Sequence, residues 1–240
     1  MKHPKVIVVM PAYNAAKTLT KTYRDIPPNT VHKVILVDDG SRDETVKVAK
    51  KLGLEVVIHP QNRGYGGNQK TCYTLALSQD ADIVVMIHPD YQYDSTQTAN
   101  LIKPILDGRF DIMLGSRIRT RAEALAGGMP LYKYISNRFL TILENILLGQ
   151  NLSEYHTGFR AFSRDILKKL PFHKYSDDFV FDQQILFGAI AAGARIGEIP
   201  VPVRYFPEAS SANFTRSTIY GLSILRDLVL YLLTSGRVFL

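Results

Sequence analysis

The segment "KVILVDDGSRDETVKVAKKLG", residues 33–53, decides the fold class. It starts as an uninterrupted apolar run, turns polar at two adjacent aspartates and continues into a helix-length stretch that Gly53 ends. A short apolar run without alternation is typical of a parallel strand buried on both faces. Ser41 and Glu44 have the spacing of a capping box, which predicts a helix start near residue 43. The segment is therefore one strand–turn–helix unit of an α/β fold.

The same unit recurs on both sides of this segment. Further strands are predicted at 5–10, 54–59, 82–88 and 110–116, with helices at 15–26, 67–79 and 95–107. Such alternation predicts a Rossmann-like α/β fold, with a mostly parallel central sheet flanked by helices. Two later stretches, 130–149 and 217–240, have amphipathic helical patterns.

Composition limits the class of protein. The chain has 240 residues, 46% of them hydrophobic, which is enough for one substantial core. Cys72 is the only cysteine, and residues 1–5 lead into a strand without the apolar segment of a signal peptide, so a cytosolic location is expected. The net charge of +7 forms no basic tail, and no nucleic acid partner is expected.

Positive charge is concentrated in one region, which suits phosphates or an anionic membrane surface. A solvated basic face is the alternative interpretation. The residues are Arg117, Arg119, Arg121, Lys133 and Arg138.

Polar residues follow the predicted strands at the edge where ligands bind in such sheets. The turn after the first strand, "MPAYNAAK" (10–17), has no glycine, which argues against a dinucleotide-dependent oxidoreductase. Asp38 and Asp39 end one strand and Asp90 ends another. Buried adjacent carboxylates need partners such as a ribose hydroxyl, a base N–H or a cation, although an Asx turn with Ser41 would also explain the first pair. Two acidic strand ends suggest a divalent cation bound to a nucleoside diphosphate.

Eight motifs in order along the chain give the sequence a family resemblance. It resembles the family 2 glycosyltransferases of GT-A fold, and within them the branch of dolichol-phosphate mannose synthase and bacterial polyprenyl-phosphate glucosyltransferases. The motifs are "VVMPAYNAAKTL" (8–19), "VDDGSRDET" (37–45), "NRGYGGNQK" (62–70), "HPDYQYD" (88–94), "GSR" (115–117), "EYHTGFRAFSR" (154–164), "FDQQIL" (181–186) and "IPVPVRYFPEASS" (199–211).

The resemblance implies a set of donor-binding residues, in which Asp38 holds the base. Asp90 matches the acid of the D-x-D motif that looks like the metal ligand, and Gln92 the glutamine that often follows it. His88 replaces the first acid; it could ligate Mg²⁺ or Mn²⁺, hydrogen-bond the ribose or a phosphate, or merely cap the strand. The expected nucleotide-sugar set is Pro11, Tyr13, Asn14, Asp38, Asp39, Asn62, Gly64, His88 and Arg117. Gly64, Gly66 and Gly67 look like a phosphate cradle.

On the acceptor side, the resemblance implies that Glu154 is the base that activates the acceptor. Asp182 is the other candidate for this base, or it is simply a charge at a helix N-terminus. A lipid phosphate acceptor would need no base, because a phosphate monoester is mostly dianionic at neutral pH. It would need cations, for which Arg117, Arg138, Arg160 and Arg204 are the candidates. Glu154, Asp90 and Arg160 are the expected catalytic set.

These inferences lead to one hypothesis with two rivals. Residues 1–215 would form the catalytic domain, with a donor half (1–116) and an acceptor half (117–215), and 216–240 a helix at the membrane interface. The enzyme would move a sugar from a UDP- or GDP-linked donor to a polyprenyl or dolichyl phosphate, with inversion and with Mg²⁺ or Mn²⁺, at the cytoplasmic membrane face. The rivals are a soluble or glycan acceptor, and a nucleotide-sugar-binding module without catalysis. Whether the chain forms a homo-oligomer stays an open question.

Overall fold

A seven-stranded sheet organises the computed structural model, which describes residues 4–118, 120–204 and 214–240. The strand order is β3-β2-β1-β4-β6-β5-β7, and every strand is parallel except β6, which is antiparallel to both of its neighbours. The strands are β1 Val6–Ala12, β2 Lys33–Asp38, β3 Glu55–Ile58, β4 Ile83–Met86, β5 Ile112–Ser116, β6 Arg160–Ser163 and β7 Ile196–Pro200. The mostly parallel α/β sheet expected from the sequence is confirmed.

Helices connect the strands and cover both faces of the sheet. They are α1 Leu19–Arg24, α2 Thr45–Lys51, α3 Tyr65–Ser78, α4 Thr98–Leu106, α5 Arg121–Ala126, α6 Leu131–Leu148, α7 Arg164–Lys169, α8 Phe181–Ala191 and α9 Phe214–Thr234. The predicted helix at 15–26 is shorter than expected, because residues 15–18 form a turn. Gly149 ends α6 in the left-handed conformation with φ 64°, as the sequence predicted.

The predicted capping box at Ser41 and Glu44 is wrong. Glu44 occupies the N-cap of α2 without a side-chain cap bond. The backbone N–H of Thr45 is instead bound by Asp43 Oδ1, at 3.0 Å. Ser41 Oγ accepts from the backbone N–H of Asn14 at 2.8 Å, so its side chain joins the turn after β1 to the turn after β2.

The core lies on both faces of the sheet. In β1, Ile7 and Val9 belong to one buried cluster while Val8 and Met10 belong to the other. All four side chains are fully buried, which explains why β1 reads as a continuous apolar run rather than an alternating one.

Strands β6 and β7 were not predicted. The four residues of β6, "RAFS", begin with Arg160 and end with Ser163, so they lack an apolar run. Only pairing with β4 and β5 makes this segment a strand. Its insertion brings the motif of residues 154–164 next to the end of β4.

Helix α9 packs on the domain through its interior side and leaves much of its surface apolar. Ile224 and Leu228 are buried, whereas Leu222 and Leu233 are 62% and 78% exposed. By length and composition, Arg216–Thr234 is the one helix in the described part of the chain that could cross a membrane, with mean hydropathy 1.2. Asp227 is 1% exposed and accepts from Gln184 Nε2 at 2.7 Å, which ties α9 to α8.

Candidate active site

Two adjoining cavities open at the carboxyl ends of the strands. The strand-end cavity, of about 740 Å³, lies over the loops that follow β1, β2, β3 and β4. The helix-side cavity, of about 290 Å³, lies between the end of β4 and the helices α6 and α9. Six residues line both cavities and form the boundary between them: Tyr65, His88, Asp90, Phe179, Arg216 and Tyr220.

Most of the expected nucleotide-sugar residues line the strand-end cavity. They are Pro11, Tyr13, Asn14, Asp39, Asn62, Gly64 and His88. Asn14 has φ 52°, an unusual conformation for a residue other than glycine, and its Oδ1 accepts from Arg42 N at 2.8 Å. Asn62 donates through Nδ2 to Asp39 O at 2.9 Å. Hydrogen bonds between neighbouring loops therefore fix the polar wall of this cavity.

The two adjacent aspartates have different surroundings. Asp39 lines the strand-end cavity, whereas Asp38 does not. Asp38 Oδ2 accepts from Ser41 N at 3.0 Å, which is the Asx-type turn expected as the alternative interpretation. Asp38 Oδ1 is buried without a hydrogen-bond partner among the described residues. Asp39 is thus the carboxylate of this pair that faces the cavity, while the base-holding role of Asp38 stays a prediction.

The glycine-rich turn serves chain packing rather than a phosphate cradle. The backbone N–H groups of Gly66 and Gly67 both donate to Asp177 O, at 2.8 and 3.3 Å. A Cβ on Gly64 would lie 2.6 Å from the same carbonyl oxygen, and Gly64 has φ 84°. The cradle interpretation is therefore wrong for Gly66 and Gly67, because their N–H groups are already used.

A stacked pair of rings fixes the orientation of His88. Tyr65 lies parallel to the imidazole with ring centroids 5.3 Å apart, and the Tyr65 hydroxyl lies 3.1 Å from Nε2. That hydroxyl donates to Asp182 Oδ2 at 2.7 Å, so it accepts from a protonated Nε2 and leaves the lone pair on Nδ1. Burial lowers the pKa of His88 to about 4, with a smaller opposing effect from Asp182. The ring is therefore neutral near pH 7.

The glycine of the EYHTGFR motif makes room for this ring. A Cβ added to Gly158 would lie 2.6 Å from His88 Cδ2 and 2.8 Å from Nε2. The backbone N–H of Gly158 donates to the Tyr93 hydroxyl at 2.9 Å, which holds the loop in place. The motif and the end of β4 thus fit together only with glycine at this position.

Asp90 lies in a setting that disfavours a free negative charge. Burial raises its pKa to about 7, opposed by the backbone N–H of Gln92, which donates to Oδ1 at 3.1 Å. Tyr91, between them, has φ 61°. A carboxylate held in this way gains from a nearby cation.

Asp90 and His88 are the two side chains at this boundary that could ligate a divalent cation. In the described segments, no cluster of three or more His, Cys, Asp or Glu residues could hold a metal. Asp90 offers a carboxylate and His88 a neutral imidazole with its lone pair on Nδ1. Mg²⁺ is commonly bound by one or two carboxylates together with substrate phosphates and water, and Mn²⁺ also accepts imidazole, so the remaining ligands would come from a diphosphate.

Among the described residues, three cationic side chains line the helix-side cavity: Arg117, Lys133 and Arg216. Burial, together with the nearby Arg117, lowers the pKa of Lys133. Repulsion between neighbouring cations of this kind is relieved when an anion binds between them. Of the three, only Arg117 was among the expected site residues, and it lines this cavity rather than the strand-end one.

Glu154 does not face either cavity, contrary to the expectation for an acceptor base. It is fully buried, and its Oε1 accepts from Arg117 Nε at 2.8 Å and from Asn137 Nδ2 at 2.9 Å. Its Oε2 accepts from the backbone N–H of Arg117 at 2.8 Å. Burial raises the pKa of Glu154, but the Arg117 guanidinium more than offsets this, so the pKa is lowered. Glu154 therefore positions Arg117, because both of its oxygens are already used.

Three of the four arginines expected to bind the acceptor also lie away from both cavities. Arg160 is 1% exposed and donates to the backbone oxygens of Thr157, Asp182 and Tyr155, at 2.6, 2.6 and 2.9 Å, which makes it a structural brace. Arg138 donates to Ser153 O, and Arg204 lies over the Tyr91 ring at 4.6 Å. None of the three lines either cavity. Arg119, and residues 205–211 of the last motif, lie outside the described residues.

The position of Asp182 is compatible with both of its expected roles, a helix N-terminal charge and a candidate base. It lies in the first turn of α8, as a helix N-terminal charge would, and it also lines the helix-side cavity. Its Oδ1 accepts from Gln69 Nε2 at 3.0 Å, and Oδ2 from Tyr65.

His156 was overlooked in the sequence although it stands in the EYHTGFR motif. It lines the helix-side cavity, with Nε2 3.3 Å from Glu144 Oε2. Burial lowers the pKa of His156 to about 3 and raises that of Glu144 well above its usual value. Tyr65, Asn137, Arg216 and Tyr220 also line this cavity without having been predicted. Only Tyr65 and His156 lay inside a recognised motif; the other three gave no sequence signal.

Comparison with known proteins gives a consistent result. The family model described as Glycosyl transferase family 2 matches residues 7–171. The chain is 30% identical to UDP-N-acetylglucosamine–dolichyl-phosphate N-acetylglucosaminyltransferase of Methanococcus voltae over an alignment of 250 positions, which covers 97% of each chain. It is 28% identical to a dolichyl-phosphate hexose transferase of Haloferax volcanii over 198 residues, 82% of each chain.

A solved structure shares the fold. Glucosyl-3-phosphoglycerate synthase from Mycobacterium tuberculosis, crystallised with Mn²⁺ and UDP-glucose, superposes with a TM-score of 0.70. The two chains are 20% identical, and the match covers 97% of this chain and 79% of the synthase.

Proposed function

Because this chain belongs to glycosyl transferase family 2, we propose that it transfers a hexose from a UDP- or GDP-linked donor to a polyprenyl or dolichyl phosphate. The observation that carries the proposal is the pair of cavities that meet at Asp90. One is lined by the donor motifs, and the other by Arg117 and Lys133, while Arg216 lines both. A dianionic phosphate is the acceptor that such a cationic cavity favours.

The donor would occupy the strand-end cavity. Asp39, Asn14 and Asn62 would contact the nucleoside, and the diphosphate would extend towards Asp90 and His88. Mg²⁺ or Mn²⁺ held by these last two residues would neutralise the charge that develops on the leaving diphosphate. The M. voltae relative is named for a UDP-linked donor, which makes UDP the first nucleotide to test.

The acceptor would enter the helix-side cavity with its phosphate between Arg117, Lys133 and Arg216. An acceptor phosphate oxygen forms the new bond to the anomeric carbon while the bond from that carbon to the diphosphate oxygen breaks. Attack opposite to the leaving group inverts the anomeric centre. No base is required, since the phosphate carries no proton to be removed at neutral pH. This agrees with the burial of Glu154 behind Arg117.

The apolar surfaces of α6 and α9 would lie against the membrane. Exposed large apolar residues cover the outer side of both helices: Leu131, Tyr132, Ile135, Phe139, Ile142, Ile146, Ile219, Leu222, Val229, Leu230, Leu232 and Leu233. Patches of this kind mark interaction surfaces. The helix-side cavity opens between the same two helices, so a lipid phosphate would reach it from the membrane interface. The proposal includes a peripheral position on the cytoplasmic face, with 1–116 as the donor half and 117–215 as the acceptor half.

The test is a transfer assay with matched acceptors. Purified protein is incubated with Mn²⁺, a labelled UDP- or GDP-hexose, and either a polyprenyl phosphate or the free polyprenol of equal chain length. We expect product with the phosphate only, and measurable activity in Glu154→Gln, which keeps the shape of the side chain. Transfer to the alcohol, or to a soluble sugar hydroxyl, together with a dead Glu154→Gln, would support the soluble-acceptor rival instead. Nucleotide binding without transfer to any acceptor would support a binding module.

A further inference from the structure

A buried chain of hydrogen bonds leads from α3 to the carboxylate of Asp39. Thr71 Oγ1 lies 2.9 Å from His59 Nε2, and His59 Nδ1 lies 2.7 Å from Asp39 Oδ1. His59 and Asp39 are 6% and 3% exposed. Since a carboxylate only accepts, Nδ1 carries the proton and His59 is the donor in this contact.

The contacts fix one oxygen of Asp39 and leave the other for a ligand. Oδ1 also accepts from the backbone N–H of Arg63 at 2.8 Å. In the described segments no hydrogen bond is made to Oδ2, although Asp39 lines the strand-end cavity. Two donors on one oxygen hold the carboxylate in a single rotamer, so that the second oxygen is pre-organised towards the cavity.

The position of His59 suits this purpose. His59 lies directly after β3, and its backbone N–H donates to Asp38 O at 2.9 Å. The main chain is therefore anchored to the last residue of β2, directly before Asp39. Its ring is held from the opposite side by Thr71 on α3. The imidazole therefore spans the gap between α3 and the end of β2, and it does not line either cavity.

We propose that His59, supported by Thr71, is a positioning residue that sets the affinity for the nucleoside of the donor through Asp39. The proposal rests on the assignment of the strand-end cavity to the donor. Asp39 Oδ2 accepts from a hydroxyl or N–H of the nucleoside, and His59 keeps this oxygen in place. Since the acceptor phosphate and the leaving diphosphate lie elsewhere, loss of His59 weakens donor binding and leaves the transfer step intact.

The experiment compares donor affinity with turnover. For His59→Phe, we expect the Kd of UDP or GDP, titrated calorimetrically with Mn²⁺ and without acceptor, to rise at least tenfold. The KM for the nucleotide sugar should rise by the same factor, and kcat should stay within about threefold of the wild type. His59→Asn places an amide N–H near the position of Nδ1 and should recover most of the affinity.

A second pair of variants keeps the test valid if His59→Phe fails to fold. Thr71→Val removes the hydroxyl that holds Nε2 and should raise the nucleotide Kd about threefold. The matched control is Thr74→Val on the same helix, because the Thr74 hydroxyl donates to Lys70 O at 2.7 Å and makes no other hydrogen bond within the described residues. It should leave Kd unchanged.

Each outcome has a definite meaning. Unchanged nucleotide Kd in folded His59→Phe, or equal effects of Thr71→Val and Thr74→Val, would overturn the positioning role alone. A loss of kcat at unchanged Kd would overturn it as well. If the wild-type protein binds neither UDP nor GDP, the proposed function fails, and the positioning role fails with it.

Discussion

The strand-end cavity and the helix-side cavity are built in different ways. The first is lined mainly by loops that follow consecutive strands, and its polar groups are fixed by contacts such as Asn14 with Arg42 and Asn62 with Asp39. The second is lined largely by residues from α6, α9 and the loop after α6, together with residues after β4 such as His88 and Asp90. Its Arg117 is fixed by Glu154, 37 positions away in sequence. Loops after parallel strands supply the donor-motif residues of the first cavity, which α9 also lines, whereas helices supply most of the lining of the second. The predictions below test whether the two cavities act separately and meet at Asp90.

The largest effect is expected at the shared boundary, from Asp90→Asn. Removing the carboxylate should lower kcat by roughly 10³-fold or more, because stabilisation of the charge on the leaving group is lost. The measurement is hexose transfer at saturating donor and acceptor. Asp94→Asn is the control: Asp94 accepts from Thr96 at the start of a 3₁₀ turn and lines neither cavity. Full activity in Asp90→Asn would show that the two cavities do not share a metal site.

The pH dependence of stability tests the same carboxyl group. Without metal, burial raises the pKa of Asp90 from 3.8 to about 7, so its folded state favours the protonated form. The stability that this provides is complete below about pH 3.8 and is lost as pH rises towards 7, by at most about 1.4 kcal/mol per pH unit.

The measurement is urea unfolding with chelator at pH 5, 6, 7 and 8. The free energy of unfolding of the wild type relative to Asp90→Asn should fall between pH 5 and 7 and level off above. Mn²⁺ should reduce this fall, because cation and proton compete for the carboxylate. A difference that does not vary with pH would show that the carboxyl group titrates normally.

Lys133→Ala should damage the helix-side cavity alone. Loss of a charge-assisted hydrogen bond to phosphate costs roughly 1.5–3 kcal/mol, which corresponds to a rise of roughly 10- to 100-fold in the KM for polyprenyl phosphate. The KM for the nucleotide sugar should not change. Arg138→Ala is the matched comparison on the same helix, since Arg138 donates to Ser153 O and lies outside the cavity. If Arg138→Ala had the larger effect on acceptor KM, the sequence-based assignment would be right and the cavity-based one wrong.

The smallest effect is expected from Phe139→Glu, which should spare both cavities. Phe139 is 62% exposed on the apolar side of α6. Loss of its burial in lipid, worth roughly 1.5–3 kcal/mol, should weaken binding to anionic vesicles by about tenfold or more. Transfer to a short, water-soluble prenyl phosphate should be unchanged. Leu106→Glu is the control, because Leu106 is 45% exposed at the end of α4, away from α6 and α9. Equal losses in both variants would argue against α6 as the membrane surface.

Sequence patterns alone were enough to predict the α/β class, the family and the polar residues that follow the strands at the strand-end cavity. Continuous apolar runs identify buried parallel strands, and the polar residues that follow them must meet at one edge of the sheet. This is why Asp39, Asn62, His88 and Asp90 were found although up to 51 residues separate them. The limits of the predicted strands and helices differ by a few residues at most, except where the turn of 15–18 shortens α1 and where the helix predicted at 217–240 ends at Thr234.

Which charged side chains line a cavity became visible only in three dimensions. From the sequence, Arg160 and Glu154 are as plausible as site residues as Lys133 and Arg216 are. Arg160 and Glu154 are buried away from both cavities. Arg160 donates to three backbone oxygens, and Glu154 accepts from Arg117 and Asn137. Strand β6 was missed for a related reason: its four residues carry no apolar pattern, and only pairing between β4 and β5 makes them a strand. Contacts between residues distant in the chain leave no local periodicity, so the helix-side cavity had to be seen in three dimensions.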